Sequence, residues 1–388
     1  MYRASAVYKS SFADILVTVL TFGAQLAIAR LFFGMRRRPG LLTALLVLLW
    51  ATFLFATPYR FLIQVPLLDS VSYSLRNLLI AVGNTWGMVS AISLGSYMLW
   101  SRLSRRTPHS PDRRRLIQAA GTVAVAAPFA AAAFGGIVER TDFHVKEVHL
   151  PVPNLHPDFE GFRIGQLSDL HVSPWLSVHD AGRTVDMLNE HKPDLTVVTG
   201  DLITQPGDPL DGAIREISRL RADLGVLGCH GNHERYCRCE DYVSRETAKT
   251  GIRILRHESQ LIRRGNGVVN IAGIDYQSRR LGEYLVDAEK LVRPGMANLL
   301  LSHNPDTFPV AVRKGFDAVL AGHTHGGQVT VEYLNQTLNI ARFATPYVAG
   351  LYRIEGRSCY VTAGIGTIAL PVRLGAPPEI TILRLTRA

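Results

Sequence analysis

Four apolar runs in the first 140 residues constrain this chain more than any other feature: 13–33, 41–63, 78–100 and 116–138. Each holds about the 20 residues a helix needs to cross a hydrocarbon core. A soluble core helix would show a polar face, and these mostly do not. The sequence therefore predicts an all-α transmembrane module over residues 1–140 with about four helices. The fourth run is the most alanine-rich and the least hydrophobic of them.

Charge divides the chain at the same place. The net charge is +10 and the pI about 9.6, which at first suggests a nucleic-acid partner. Residues 1–140 carry 15 Lys+Arg against 4 Asp+Glu, a net of +11, so the remaining residues, with 27 against 28, net −1. Nine arginines sit in two connections: Arg36, Arg37 and Arg38, then Arg102, Arg105, Arg106, Arg113, Arg114 and Arg115. The positive-inside rule puts both loops in the cytoplasm, and an even number of crossings then leaves residues 141–388 outside it. The expected location is the cytoplasmic (inner) membrane, multi-pass, with the second domain extracytoplasmic. The stretch Asp112-Arg113-Arg114-Arg115-Leu116 also resembles a twin-arginine export signal, with an alanine-rich end that could be cleaved. Either reading sends the following domain to the same side. With the second domain almost neutral, no nucleic-acid partner is expected. A chain with 47% hydrophobic and 19% charged residues is not disordered, and four cysteines do not make a disulfide scaffold.

From residue 141 onward, short apolar runs end repeatedly in polar turns. Leu167 leads to Ser168-Asp169-Leu170-His171, Val198 to Thr199-Gly200-Asp201, and Leu227 to Gly228-Cys229-His230-Gly231-Asn232-His233-Glu234. Leu301 leads to Ser302-His303-Asn304, and Ala321 to Gly322-His323-Thr324-His325-Gly326-Gly327. Short Val/Ile/Leu runs bounded by Gly read as buried strands. Helical patterns lie between them, at 179–191, 211–221, 241–250 and 306–314. Strands alternating with helices predict a layered α/β domain over residues 141–388, in which ligands collect beyond the carboxyl ends of the strands. All five turns fall at such ends. After Gly327 the pattern changes to strands at 328–333, 347–353, 358–362 and 379–385, and Arg264-Gly265-Asn266-Gly267 reads as a hairpin turn.

Twelve of the 13 histidines lie in this second part. A lone Asp-x-His or Gly-Asp means little, but five such turns in this order are hard to explain structurally. The order Asp169-x-His171, Gly200-Asp201, Gly231-Asn232-His233-Glu234, His303, Gly322-His323-x-His325 resembles the calcineurin-like metallophosphoesterase superfamily. The Gly-His-Thr-His-Gly-Gly-Gln ending, the anchor, and the stretches from Gly350 and from Gly364 to Ile380 are most similar to its membrane-anchored YkuE/YaeI-type branch. The resemblance covers residues 143–388 and implies a calcineurin-like layered β-sandwich flanked by helices. One departure is Gly200-Asp201-Leu202-Ile203, where many members place a second acidic residue.

The resemblance implies two divalent ions, Mn, Fe or Zn: one held by Asp169, His171 and His325, the other by Asn232, His303 and His323, with Asp201 bridging. Carboxylate, imidazole and amide oxygen suit such ions. It also implies attack on phosphorus by a bridging hydroxide, with His233 not a ligand but a catalytic group that stabilises the transition state or protonates the leaving group. His230, Arg279, Arg280 and Arg373 are candidate substrate contacts; loop-bonded or structural roles compete for each. Cys229, Cys237, Cys239 and Cys359 leave disulfides open, and Cys229 reads best as a core thiol.

The expected function is a membrane-anchored phosphoesterase acting on phosphate esters, with phosphodiesters and phospholipid or lipid-linked phosphates foremost. Two alternatives stand beside it. One is a UDP-diacylglucosamine-type pyrophosphatase of lipid A synthesis, which would need the domain in the cytoplasm. The other is a membrane sensor or scaffold with a vestigial metal site. Oligomeric state is not legible.

Overall fold

The computed structural model describes residues 73–104, 110–278, 282–333 and 336–388. The apolar runs at 13–33 and 41–63, together with Arg279 and Arg280, lie outside the described residues.

Beyond residue 140 the chain forms two six-stranded sheets. The first is built from β1 (His144–Val152), β2 (Arg163–Leu167), β3 (Leu195–Val198), β4 (Val226–Gly228), β5 (Ile252–Ile254) and β14 (Glu379–Arg387), in the order β1-β14-β2-β3-β4-β5. The second uses β6 (Glu258–Arg264), β7 (Gly267–Gly273), β8 (Ala297–Leu301), β9 (Ala318–Ala321), β12 (Gly350–Ile354) and β13 (Arg357–Val361), in the order β12-β13-β9-β8-β7-β6. A separate hairpin pairs β10 (Thr330–Tyr333) with β11 (Gln336–Asn339).

Successive side chains of a strand point to opposite faces, and in the central strands both faces are covered. Ile164, Val197 and Leu227 of the first sheet share one buried cluster with Ile271, Leu299, Leu320 and Tyr360 of the second, so the sheets pack face to face. The alternate residues Leu167, Val198 and Ile382 face outward onto helix residues Val185, Leu188 and Ala213. Leu300, Val319 and Val361 face outward onto Phe308, Ala311 and Val312. Full burial of each such side chain contributes roughly 1.5–3 kcal/mol, which is why these strands read as short, mostly apolar runs. The result is the expected α/β sandwich flanked by helices.

The four helical patterns emerge at nearly the expected places: Val178–Glu190, Leu210–Ile217, Glu240–Ala248 and Phe308–Lys314. Ser177 and Asp180 close a capping box at the start of the first of them. The hairpin expected at Gly265 joins β6 to β7, with Arg264 paired to Gly267. The short strands β5 and β11, and a short helix at Asn232–Cys237, carry too few residues for a period to show. The cysteine alternatives resolve simply: all four are buried and free.

Before residue 139 the described chain forms α1 (Tyr73–Ser104) and α2 (Pro111–Ile137). Ser110 caps α2 by accepting from the Arg113 N–H. The two helices pack together through Trp86 and Phe129, whose rings lie 5.0 Å apart. Leu99, Leu116, Val123 and Phe134 are exposed. Among the described residues one stretch, Ala119–Thr141, is long and apolar enough to cross a membrane, with 23 residues and a mean hydropathy of 1.8. It overlaps the run that composition ranked lowest.

Candidate metal centre

Parallel pairing of β2, β3 and β4, and of β8 with β9, aligns their carboxyl ends along one edge of each sheet. Each strand then delivers its polar turn to that edge. The turns are stitched together by backbone bonds: Asp169 N donates to Gly200 O at 3.0 Å, His171 N to Asp201 O at 3.0 Å, and Gly322 N to His303 O at 3.1 Å. Packing between turns leaves no room for side chains at their glycines. A Cβ on Gly231 would lie 2.1 Å from Asp201 Oδ1, and one on Gly322 would lie 2.2 Å from Asp169 Oδ2.

The backbone is strained where the chemistry sits. Asp169, His171, Asp201, His323 and His325 all have positive φ, between 48° and 77°. A non-glycine residue held there costs roughly 1–3 kcal/mol, and the surrounding bonds hold five of the seven expected ligands in it.

The side chains converge. His303 Nε2 lies 3.0 Å from Asp201 Oδ2 and 3.1 Å from Asn232 Oδ1. His171 Nε2 lies 3.5 Å from Asp201 Oδ2, and His325 Nε2 lies 3.5 Å from Asp169 Oδ1. Three triads have ligand atoms within 4.8 Å of one another: Asp169–His171–His325, His171–Asp201–His233 and Asp201–His303–His323. The rings of His303 and His323 are 5.0 Å apart. The ring of Tyr276, which the sequence did not single out, lies 5.6 Å from that of His323.

Four of these rings are oriented in the same way. His303 Nδ1 donates to Thr199 O at 2.7 Å, His325 Nδ1 to Gly366 O at 3.3 Å, and His233 Nδ1 to Thr204 O; His171 Nδ1 lies 3.2 Å from Thr204 Oγ1. A carbonyl at Nδ1 holds a proton there and turns Nε2 toward the site, as in metal-binding histidines. His171 Nε2 is buried with no hydrogen-bond partner among the described residues. An orphaned imidazole lone pair beside two buried carboxylates fits a divalent cation.

Electrostatics separate the ligand candidates. Burial works against the Asp201 carboxylate, but His303, His233 and His171 outweigh it and hold its pKa well below the usual range. Burial raises Asp169. Burial also opposes charge on His303, but Asp201 and Asp169 overcome it and raise that imidazole to about 10, so an ion bound there would displace a proton. Burial drives His323 down to about 3 and holds His171 and His325 well below their ordinary value, so these rings stay neutral, as ligands must be.

The candidate substrate contacts are placed differently. His230 is buried and its Nε2 lies 2.9 Å from Ser244 Oγ, so the ring is engaged within the fold. Arg373 is fully buried and donates to backbone carbonyls, which commits the guanidinium that a substrate phosphate would need. A more important residue, Glu234, was visible only as part of a motif. Its carboxylate, 1% exposed, accepts from Gly231 N at 2.8 Å, Asp201 N at 2.9 Å and Leu202 N at 2.7 Å. It ties the Gly200-Asp201 turn to the Gly231-Asn232 turn.

Buried carboxylates and imidazoles gathered at the strand ends of a two-sheet α/β sandwich suit metal-dependent hydrolysis. Residues 162–327 match the model of the calcineurin-like phosphoesterase family. The chain is 30% identical over 254 residues to the uncharacterised metallophosphoesterase YkuE of Bacillus subtilis, covering 64% of this chain and 86% of that one. It is 29% identical over 309 residues to a transmembrane protein with a metallophosphoesterase domain from Bos taurus, covering 76% and 68%. It is 30% identical over 230 residues to the phosphodiesterase YaeI of Escherichia coli, covering 58% and 82%. The chain belongs to the calcineurin-like phosphoesterase family.

Proposed function

We propose that residues 141–388 are the catalytic domain of a membrane-anchored phosphodiesterase, that residues 1–140 anchor it, and that its substrates are phosphodiesters, foremost phospholipid or lipid-linked phosphates, on the extracytoplasmic side. The observation that carries the chemistry is the convergence of four oriented imidazoles on Asp201 and Asp169. The apolar stretch Ala119–Thr141 supports the anchor, as does the likeness to relatives named for a transmembrane segment.

Asp169, His171 and His325 would hold one ion and Asn232, His303 and His323 the other, with Asp201 between them. Bound divalent ions would supply Lewis acidity and lower the pKa of a water near phosphorus. The chain's own residues do the rest. Asp201 Oδ1 accepts from His233 N at 2.8 Å, which locks the His233 backbone to the bridging carboxylate. The Thr204 carbonyl holds the Nδ1 proton of His233, so any proton the ring passes to a leaving oxygen leaves from Nε2.

His233→Ala is expected to keep both ions and lose about 10²–10⁴-fold in kcat, most for alcohols that leave poorly. Metal analysis beside kcat checks this, and loss of an ion would make His233 a ligand, as the His171–Asp201–His233 triad allows. The reading as a whole is tested with the purified full chain in detergent, with Mn²⁺ and with chelator. The panel holds an aryl phosphodiester, an aryl phosphomonoester, a phospholipid and a lipid-linked pyrophosphate. Chelator-sensitive cleavage of the diester and the lipid phosphates is expected. Chelator-resistant activity, or a preference for the monoester, overturns it. A reporter fused at the C-terminus is expected to read extracytoplasmic; a cytoplasmic reading overturns the topology.

A further inference from the structure

We propose that Arg373 is a positioning residue for the Asp169–His171–His325 half of the metal centre, acting through the carbonyl of Gly366. The inference rests on the two-metal reading above.

Arg373 is 0% exposed, and arginine is almost never so deeply buried unless paired. Its guanidinium is satisfied by backbone carbonyls. Nε donates to Gly366 O at 3.1 Å; Nη2 lies 2.6 Å from Gly366 O, 2.9 Å from Ala363 O and 3.0 Å from Gly364 O. Nη1 donates to Ala376 O at 2.9 Å and lies 3.5 Å from His325 O.

The segment it gathers is the one that packs on the metal turns. Ile365 N donates to Ser168 O at 3.1 Å and Gly366 N to Asp169 O at 2.7 Å, holding the left-handed backbone of Asp169. The Gly366 carbonyl is shared: it accepts from Arg373 and also from His325 Nδ1 at 3.3 Å. That second bond fixes the His325 tautomer and aims Nε2 at Asp169 Oδ1, 3.5 Å away. One guanidinium thus sets the carbonyl that sets a ligand ring, and the same residue's N–H sets the carboxylate turn opposite. A planar fork of five donors suits converging carbonyls in a way the compact lysine ammonium does not. A residue that merely filled space would need no such fork.

The test uses the purified full chain, stripped with chelator and titrated with Mn²⁺. Bound metal is read by equilibrium dialysis, and pairing of the two ions by electron paramagnetic resonance. The wild type is expected to bind two ions. Arg373→Lys and Arg373→Gln, first checked for folding by circular dichroism without metal, are expected to bind one ion as before and the other about 10- to 100-fold more weakly, with the paired-ion signal lost. Two ions at wild-type affinity in either folded variant overturn the proposal, however far its melting temperature falls. Unfolding of both variants without metal also overturns it, because Arg373 would then be a folding element. A wild type that binds fewer than two ions overturns the metal-centre reading instead.

Discussion

Asp201→Asn is expected to abolish metal-dependent hydrolysis of an aryl phosphodiester, with kcat falling at least about 10³-fold, since removing a single catalytic hydrogen-bond donor can already cost about 10²–10³. The carboxylate sits at the meeting point of both triads that share it, with Oδ2 3.0 Å from His303 Nε2 and 3.5 Å from His171 Nε2. An amide has the same shape but no negative charge, and its NH₂ would face imidazole nitrogens and a cation. Oδ1 can still accept from His233 N, so the turn survives and the fold with it. Kinetics, metal content and circular dichroism together check this. A folded Asp201→Asn that keeps kcat within tenfold and binds two ions would remove the bridging role.

Glu234→Gln carries the second large effect, and it acts through folding and geometry together. The wild-type carboxylate satisfies three backbone N–H groups from two separate turns. A glutamine offers one acceptor and turns a buried NH₂ toward N–H donors. Leaving a buried group unsatisfied costs about 1–3 kcal/mol, and a hydrogen bond to a charged group contributes about 1.5–3. A destabilisation of about 3 kcal/mol lowers the melting temperature by roughly 6–12 °C in a domain of this size. The Asp201 and Asn232 turns would also drift apart, and a displacement near 1 Å at a reacting centre can cost about 10²-fold in rate. Differential scanning calorimetry and Mn²⁺ titration read the two parts separately. Wild-type melting and metal affinity in Glu234→Gln would show that the shared carboxylate does not hold the turns together.

Much of the catalytic domain was legible because its signals are local. Strands covered on both faces are mostly apolar, so Leu195–Val198 and Ala297–Leu301 show as short apolar runs interrupted only by Thr196 and Asn298. The histidine turns follow directly in sequence, so strand ends and ligand candidates are read together. The helices were legible through their period. The short elements were not, because three or four residues carry no period. The sequence left the roles of Arg373 and His230 open for a related reason: residue type alone does not say whether a side chain faces solvent or groups within the fold.

The sequence by itself therefore determined the sandwich, the charge-segregated first third, and which polar turns end the strands. These depend on burial period, on composition, and on turns confined to a few residues. The tertiary structure alone decided how the side chains of those turns are held. His325 is aimed by a carbonyl 41 residues away, and His303 by one 104 residues away. Left-handed backbone at Asp169, His171 and Asp201 persists only because neighbouring turns bond to it. Bonds across such separations form only once the sheets have packed, and no pattern along the chain announces them.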